Sequence, residues 1–232
     1  MNFAFLTGHE SFYPREGWLT KGLTSLAESP EIFYSANVIK AIDTLGIGAN
    51  MVKSLRYWLL YFGLADIVER GQKLQLSELG RAILKNDPFI QHKSTLWLLH
   101  INSIHNAPLW SACCKSSEMP GYSKDYLLQK LESFVKSESD KTYSTKTCAS
   151  YIEVFVNTYV RTPSLDVEGN LQSPLSKLKL LNYNNKEISF RSINTDSSIF
   201  LRLRINNNNN TSRSIIVVII PTISDNSSGI FS

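Results

Sequence analysis

NVIKAIDTLGIGANMVKSLRYWLLYFGL, residues Asn37 to Leu64, is the stretch whose reading decides the fold. It predicts two short helices joined by a tight turn. Val38, Ile39, Ile42 and Leu45 give the first helix an apolar stripe. Gly46-Ile47-Gly48 is the turn, two permissive glycines around one apolar residue expected to be buried. The second helix is expected to start near Ala49. In it Met51, Leu55, Trp58 and Phe62 share one face by their spacing. Asn50, Lys53, Ser54 and Tyr57 then fall opposite, polar and long enough to reach outward. One face packed and one face polar is the pattern of a helix-turn-helix whose second helix enters a DNA major groove. Gly63 suits a left-handed cap at the end of that helix.

The flanking residues extend the pattern. Leu64 to Val68 and Lys73 to Leu76 read as a hairpin with Glu69-Arg70-Gly71-Gln72 at its tip. Ser77 is placed to cap a helix running through Leu84. Upstream, a helix is expected from near Glu16 or Trp18 through Leu26, stopping before Pro30. Helix, helix, turn, helix, hairpin, helix is the order of a winged helix. From Asn37 to Lys85 there are seven lysines and arginines against four carboxylates, a surplus that favours DNA only weakly. The same unit serves elsewhere purely as a protein-packing module, so both partners stay open on composition.

The chain has 232 residues, enough for one large or two small domains, and 43% of them are hydrophobic, enough to bury a core. The net charge of +4 is compatible with nucleic acid without requiring it. Three cysteines, Cys113, Cys114 and Cys148, make an odd count with an adjacent pair. That is no disulfide framework and points to reduced thiols in a cytoplasmic protein. The first residues lack a basic segment followed by an apolar core, so they are not read as a signal peptide. No run approaches the roughly 18 apolar residues of a membrane span.

The densest polar chemistry lies near the start. Gly8-His9-Glu10 is followed by Arg15 and Glu16. His9 and Glu10 are the weak candidates for an acid/base or ligand pair. The competing structural reading is a loop whose charges pair with one another, Glu10 or Glu16 with Arg15. His92, His100 and His105 precede Cys113 and Cys114, but the spacing matches no paired-ligand zinc pattern. No metal site is therefore assigned, and His100, on an apolar helix, reads as a core histidine.

These residues carry a resemblance. FLTGHESFYPREGWLTKG, Phe5 to Gly22, resembles the opening signature of the bacterial domain-of-unknown-function family 4007, with Leu6 where that family usually has Phe. The run from Gly46 through Trp58 is similar to its next block, and Thr95 to His100, TLWLLH, to a third. The resemblance implies an association with DNA phosphorothioation, a sulfur modification of the DNA backbone used in phage defence. Some members are described as the DNA-nicking component of such systems. No catalytic motif carries over residue by residue.

Beyond a linker at Ser116 to Gly121 the helical pattern returns. Ser123 is placed to cap a helix with Tyr126, Leu127, Leu131, Phe134 and Val135 on its core side. Ser144 caps another containing Ala149, Ile152, Phe155, Val156 and Tyr159, with Thr145-Lys146-Thr147 exposed at its start. Ser173-Pro174-Leu175 opens a short helix through Leu180, with proline in its first turn. Ile188, Phe190 and Ile193 alternate as in a strand. Past about Phe200 the resemblance is expected to stop. Asn206 to Asn210 is low-complexity, and Ile215 to Ile220 is apolar and β-branched. This tail reads as disordered, truncated or frameshifted.

The expected fold is thus mainly α. Residues 1–115 form an N-terminal winged helix-turn-helix with a supporting helix, 116–200 a second helical and winged-helix-like region, and 201–232 the tail. The expected function is a DNA-binding subunit of a bacterial DNA phosphorothioation or related phage-defence system. Double-stranded DNA and other proteins of that system are its partners, with no membrane. Asn50, Lys53, Ser54, Arg56 and Tyr57 on the second helix, with Arg70 and Lys73 in the wing, are the expected DNA contacts. The alternatives are a metal-dependent DNA nickase and a non-catalytic scaffold. No cofactor is expected, with Mg²⁺ entering only for the nickase. Glu10, Glu16, Asp166 and Glu168 are its candidate carboxylates.

Overall fold

The computed structural model describes residues 6–68, 73–104, 106–109, 121–139, 141–161, 171–184, 187–190, 198–202 and 217–221. They divide into two units, Met1–Arg191 and Ser192–Ser232. The first is mainly helical with small antiparallel sheets.

Its opening half follows the expected element order. Helix α1 spans Trp18–Glu28, α2 Val38–Leu45 and α3 Ala49–Tyr61. Strands β1 (Ala65–Val68) and β2 (Lys73–Leu76) pair antiparallel, with Ala65 opposite Leu76 and Val68 opposite Lys73. Helix α4 follows at Glu78–Asn86 and α5 at Lys93–Ile104. The hairpin tip, including Arg70, lies outside the described residues.

Local chemistry sets these boundaries. Gly46 takes a left-handed φ of 63° and ends α2, while Lys21 Nζ donates to the Leu45 carbonyl at 3.0 Å and ties α1 to that end. Gly48 has φ −66°, which any residue adopts, so only the first glycine of the turn is conformationally required. Gly63 has φ 65° and closes α3 as expected. Ser77 Oγ accepts from the Gly80 amide at 2.9 Å and donates to the Gly63 carbonyl at 2.6 Å. One hydroxyl therefore caps α4 and fastens it to the end of α3.

The apolar stripe expected on α2 is rotated. Ala41 and Leu45 are buried, whereas Ile39 is 73% exposed. Ala41 and Leu45, four residues apart, set the buried side, and Val38 and Ile42 lie half-buried at its margin.

The second half of the unit is also helical. Strand β3 (Tyr122–Ser123) leads into α6 (Lys124–Glu138), and α7 spans Thr145–Tyr159. Ser123 accepts from the Tyr126 amide and Ser144 from the Thr147 amide, so both expected caps are formed. Leu127, Leu131 and Val135 are buried on α6, but Tyr126 is exposed and Phe134 half-buried, which narrows the expected core face. A 3₁₀ helix at Pro174–Leu178 is capped by Ser173. Strands β4 (Leu181–Asn184) and β5 (Glu187–Phe190) complete a three-stranded sheet in the order β3-β5-β4, with Tyr122, Ile188 and Tyr183 in one cross-strand row. Strand β4 was not expected, because LNYN carries no alternation to mark it.

The second unit contains β6 (Ser198–Arg202) paired antiparallel with β7 (Val217–Pro221), Ser198 opposite Pro221. Strand β7 falls in the apolar run noted above. Asn206 to Asn210, and the character expected for them, lie outside the described residues.

The core of the first unit contains a buried polar network. His100 Nδ1 on α5 lies 3.1 Å from the Tyr159 hydroxyl on α7, and Ser103 Oγ donates to the His100 carbonyl at 2.7 Å. The rings of His100 and Tyr159 meet edge-to-face. Burial lowers the pKa of His100 from 6.5 to about 4. The unfolded chain takes up that proton at the ordinary value, so between pH 6.5 and 4 it binds more protons than the folded state. Stability contributed here is present above pH 6.5 and is lost as the pH falls through that window. The expected loss is about 2 kcal/mol at pH 5. Urea unfolding at pH 7 and pH 5 checks this, and His100→Gln should flatten the difference.

Candidate nucleic-acid interface

Helix α3 is packed on more than one side. Gly22 lets α1 cross it so closely that a side chain there would press on Leu55 and Leu59. Val52, Leu55, Leu59 and Phe62 are buried. A second side is covered by residues 6–17, which run as an irregular loop before α1. The Phe12 carbonyl accepts from Trp58 Nε1 at 3.0 Å and from Ser54 Oγ at 3.4 Å. His9 sits edge-on to Tyr57, with ring centroids 5.9 Å apart.

This arrangement corrects the expected contact face. Ser54 is 0% exposed and Tyr57 only 7%, so neither projects outward. Burial pushes the Tyr57 hydroxyl pKa well above its usual value, and the neighbouring Tyr61 adds to the shift. Asn50 and Lys53 are exposed, with Lys53 Nζ donating to Asn50 Oδ1 at 3.3 Å. Arg56 and Leu60 are half-exposed, and Met51 is half-buried. The solvent stripe therefore runs along Asn50, Lys53, Arg56 and Leu60, rotated from the expected one. Lys73 on β2 is half-buried. Arg70 lies outside the described residues. The warning in the sequence was Tyr57, Trp58, Tyr61 and Phe62. Aromatic residues on several sides of one helix need cover on several sides.

The N-terminal loop is also held by α7. Ser11 Oγ lies 3.3 Å from Ser150 Oγ, and the rings of His9 and Tyr151 are 6.3 Å apart. His9 is buried, and its Nδ1 accepts from the Ser11 amide at 3.0 Å. Desolvation lowers its pKa, against the opposing pull of the Leu6 backbone and the Glu10 charge. Glu10 and Ser11 both take left-handed backbone conformations, at φ 49° and 63°, and both are exposed. Glu16 binds Lys177 at 2.6 Å, and the Arg15 guanidinium lies over the rings of Phe12 and Trp18 at 5.7 and 5.6 Å. At the start of α7, Thr145 and Lys146 are exposed.

His9 and Glu10 are thus adjacent but differently placed, one inside and one at the surface. Among the described residues no three of His, Cys, Asp and Glu converge as metal ligands. His92 is exposed and 3.9 Å from Asp87, His100 belongs to the core network, and Cys148 is buried. His105, Cys113, Cys114, Asp166 and Glu168 lie outside the described residues. No described helix is long and apolar enough to cross a membrane.

The family model described as "Protein of unknown function (DUF4007)" matches residues 6–221. The match runs past Phe200, where the resemblance was expected to stop, and reaches the end of β7. Two solved structures are similar. One, described as "Magnesium ion-bound SspB crystal structure", has a TM-score of 0.68 at 23% identity, and the alignment covers 80% of this chain and 59% of that one. The other, "SspB crystal structure", has a TM-score of 0.66 at 23% identity with the same coverage. At that identity the likeness is one of fold, and this chain spans 59% of the length of those chains. No curated protein matches.

The burial of Tyr57 makes it a packing residue. Tyr57→Ala should destabilise the protein by roughly 3–5 kcal/mol, the cost typical of removing a large buried aromatic. A Tyr57→Ala variant with unchanged denaturant midpoint would show that the loop yields without loss.

Proposed function

The chain belongs to the DUF4007 family, and from that premise we propose that it is a DNA-binding subunit of a bacterial DNA phosphorothioation or related phage-defence system, acting in the cytoplasm. In this reading α1 to α4 with the β1–β2 hairpin form a winged helix-turn-helix, α3 enters the major groove, and the hairpin is the wing. The observation that carries the reading is the exposed start of α3. Asn50 and Lys53 stand at the N-terminal turns of the second helix after a Gly46 turn, where recognition helices place their base contacts. Asn50 supplies an amide suited to an adenine edge, and Lys53 a cation for guanine or phosphate. Arg56, half-exposed on the same stripe, and Lys73 on β2 reach the backbone from either flank. The exposed Thr145 and Lys146 of α7 offer a second contact of the same kind. Proteins of the sulfur-modification system are the expected partners beside double-stranded DNA.

The rival reading is a Mg²⁺-dependent nickase. The described residues do not suit such a site. Mg²⁺ prefers octahedral oxygen coordination, whereas His9 is buried with Nδ1 already accepting a hydrogen bond and Glu16 is engaged by Lys177. Paired measurements separate the readings. If the N-terminal cluster is a lock, His9→Ala/Glu10→Ala lowers the melting temperature and leaves any plasmid nicking per folded molecule unchanged. Loss of Mg²⁺-dependent nicking at an unaltered melting temperature would make the cluster catalytic.

For DNA binding, Lys53→Ala should weaken affinity for duplex DNA several-fold and reduce the salt slope by about 1, with no change in melting temperature. Titration of labelled duplex at several salt concentrations gives both values. Unchanged affinity in folded Lys53→Ala would remove α3 as the recognition helix.

A further inference from the structure

The junction of the three-stranded sheet and α6 carries aromatic rings and lysines that the α3 interface does not use. Tyr122 on β3 and Tyr126 in the first turn of α6 stack with planes 6° apart and centroids 5.1 Å apart, an offset parallel pair. Tyr183 on β4 lies in the same cross-strand row as Tyr122, with the fully buried Ile188 between them. Two strand spacings separate Tyr122 from Tyr183, about 10 Å. Tyr126 and Tyr183 are each 41% exposed. Each also has a lysine over its ring, Lys130 Nζ at 5.5 Å from Tyr126 and Lys124 Nζ at 5.4 Å from Tyr183.

We propose that Tyr126 and Tyr183, with Tyr122 behind them and Lys124 and Lys130 beside them, form a stacking surface for an unpaired nucleic-acid strand. Scattered exposed aromatics need no explanation, but these share one corner of the fold and each has a cation. Unpaired bases present flat π faces beside a phosphate chain, and rings interleaved with lysines complement both parts. Aromatics displayed from a small sheet are a recurring way to hold splayed bases; here they come from the two outer strands, β3 and β4, and from the start of α6. A duplex hides its base faces and gains nothing from the rings, so the surface selects single strands. Lys124 is shared with Glu153, which accepts from Nζ at 2.6 Å. That ion pair partly neutralises Lys124 over Tyr183 and makes Lys130 the larger source of attraction. This inference is independent of the α3 reading, since it concerns different residues and a different form of nucleic acid.

The test uses the full chain and fluorescence anisotropy with labelled oligo-dT and with a blunt duplex. Tyr126→Ala/Tyr183→Ala should weaken oligo-dT binding by about tenfold or more and leave duplex binding and the melting temperature unchanged. The corresponding double Phe variant keeps the rings and should bind as the natural protein does. Lys130→Ala should weaken oligo-dT binding at low salt and matter less as salt is raised. The proposal is overturned if the folded natural protein does not bind oligo-dT, or if the double Ala variant binds it unchanged. Lys53→Ala serves as the cross-control. Loss of duplex binding with oligo-dT binding retained would leave both surfaces standing, while the converse results for each set of variants remove one surface without the other.

Discussion

The carbonyl oxygen of Phe12 receives two hydrogen bonds from α3, one from Trp58 Nε1 and one from Ser54 Oγ. Much of the unit depends on that docking. It holds an irregular loop against a helix that would otherwise show indole, hydroxyl and phenol groups to solvent. The loop in turn carries His9 into the space beside Tyr57 and Tyr151 and places Ser11 against Ser150 of α7. Residues far apart in sequence are thereby joined across a segment with no regular backbone pairing of its own. A buried loop must satisfy its polar groups, and here the Phe12 carbonyl and the His9 ring nitrogen both have donors.

The core beside that loop is aromatic and partly polar. Tyr57, Tyr61, Tyr151 and Tyr159 are all buried, from two helices. Burial keeps the hydroxyls of Tyr57, Tyr61 and Tyr151 protonated to well above their usual range. A protonated hydroxyl both donates and accepts, so it can bridge helices where a leucine could only fill space. Buried polar groups are favourable only while partnered. The network of His100, Ser103 and Tyr159 therefore favours one arrangement of α5 and α7 over slid alternatives, and it makes the fold sensitive to acid through His100.

The outward side of α3 is small as a consequence. Covered by α1 on one side and by the loop on another, the helix leaves a stripe led by Asn50 and Lys53. A narrow stripe at the helix start suits groove entry, because the first turns can project while the later turns stay packed. The tyrosine–lysine corner on β3, β4 and α6 is built differently, from rings at the edge of a sheet, and so suits flat, unpaired bases rather than a groove.

Local signals in the sequence were sufficient for the elements themselves. Ser77, Ser123, Ser144 and Ser173 each mark a helix start because a hydroxyl satisfies amides only at that place. Gly46 and Gly63 mark helix ends because they adopt the left-handed backbone found there. The motifs at Gly8, Gly46 and Thr95 were enough to identify the family. Which side of each helix meets solvent was decided only by the tertiary structure. Ser54 and Tyr57 look exposed when α3 is read as packed on one face, and Ile39 looks buried when α2 is read by periodicity. Periodicity reports how many residues pack together along one helix. It does not count the neighbours that a distant loop brings, and here that loop removed two of the expected contacts from the surface.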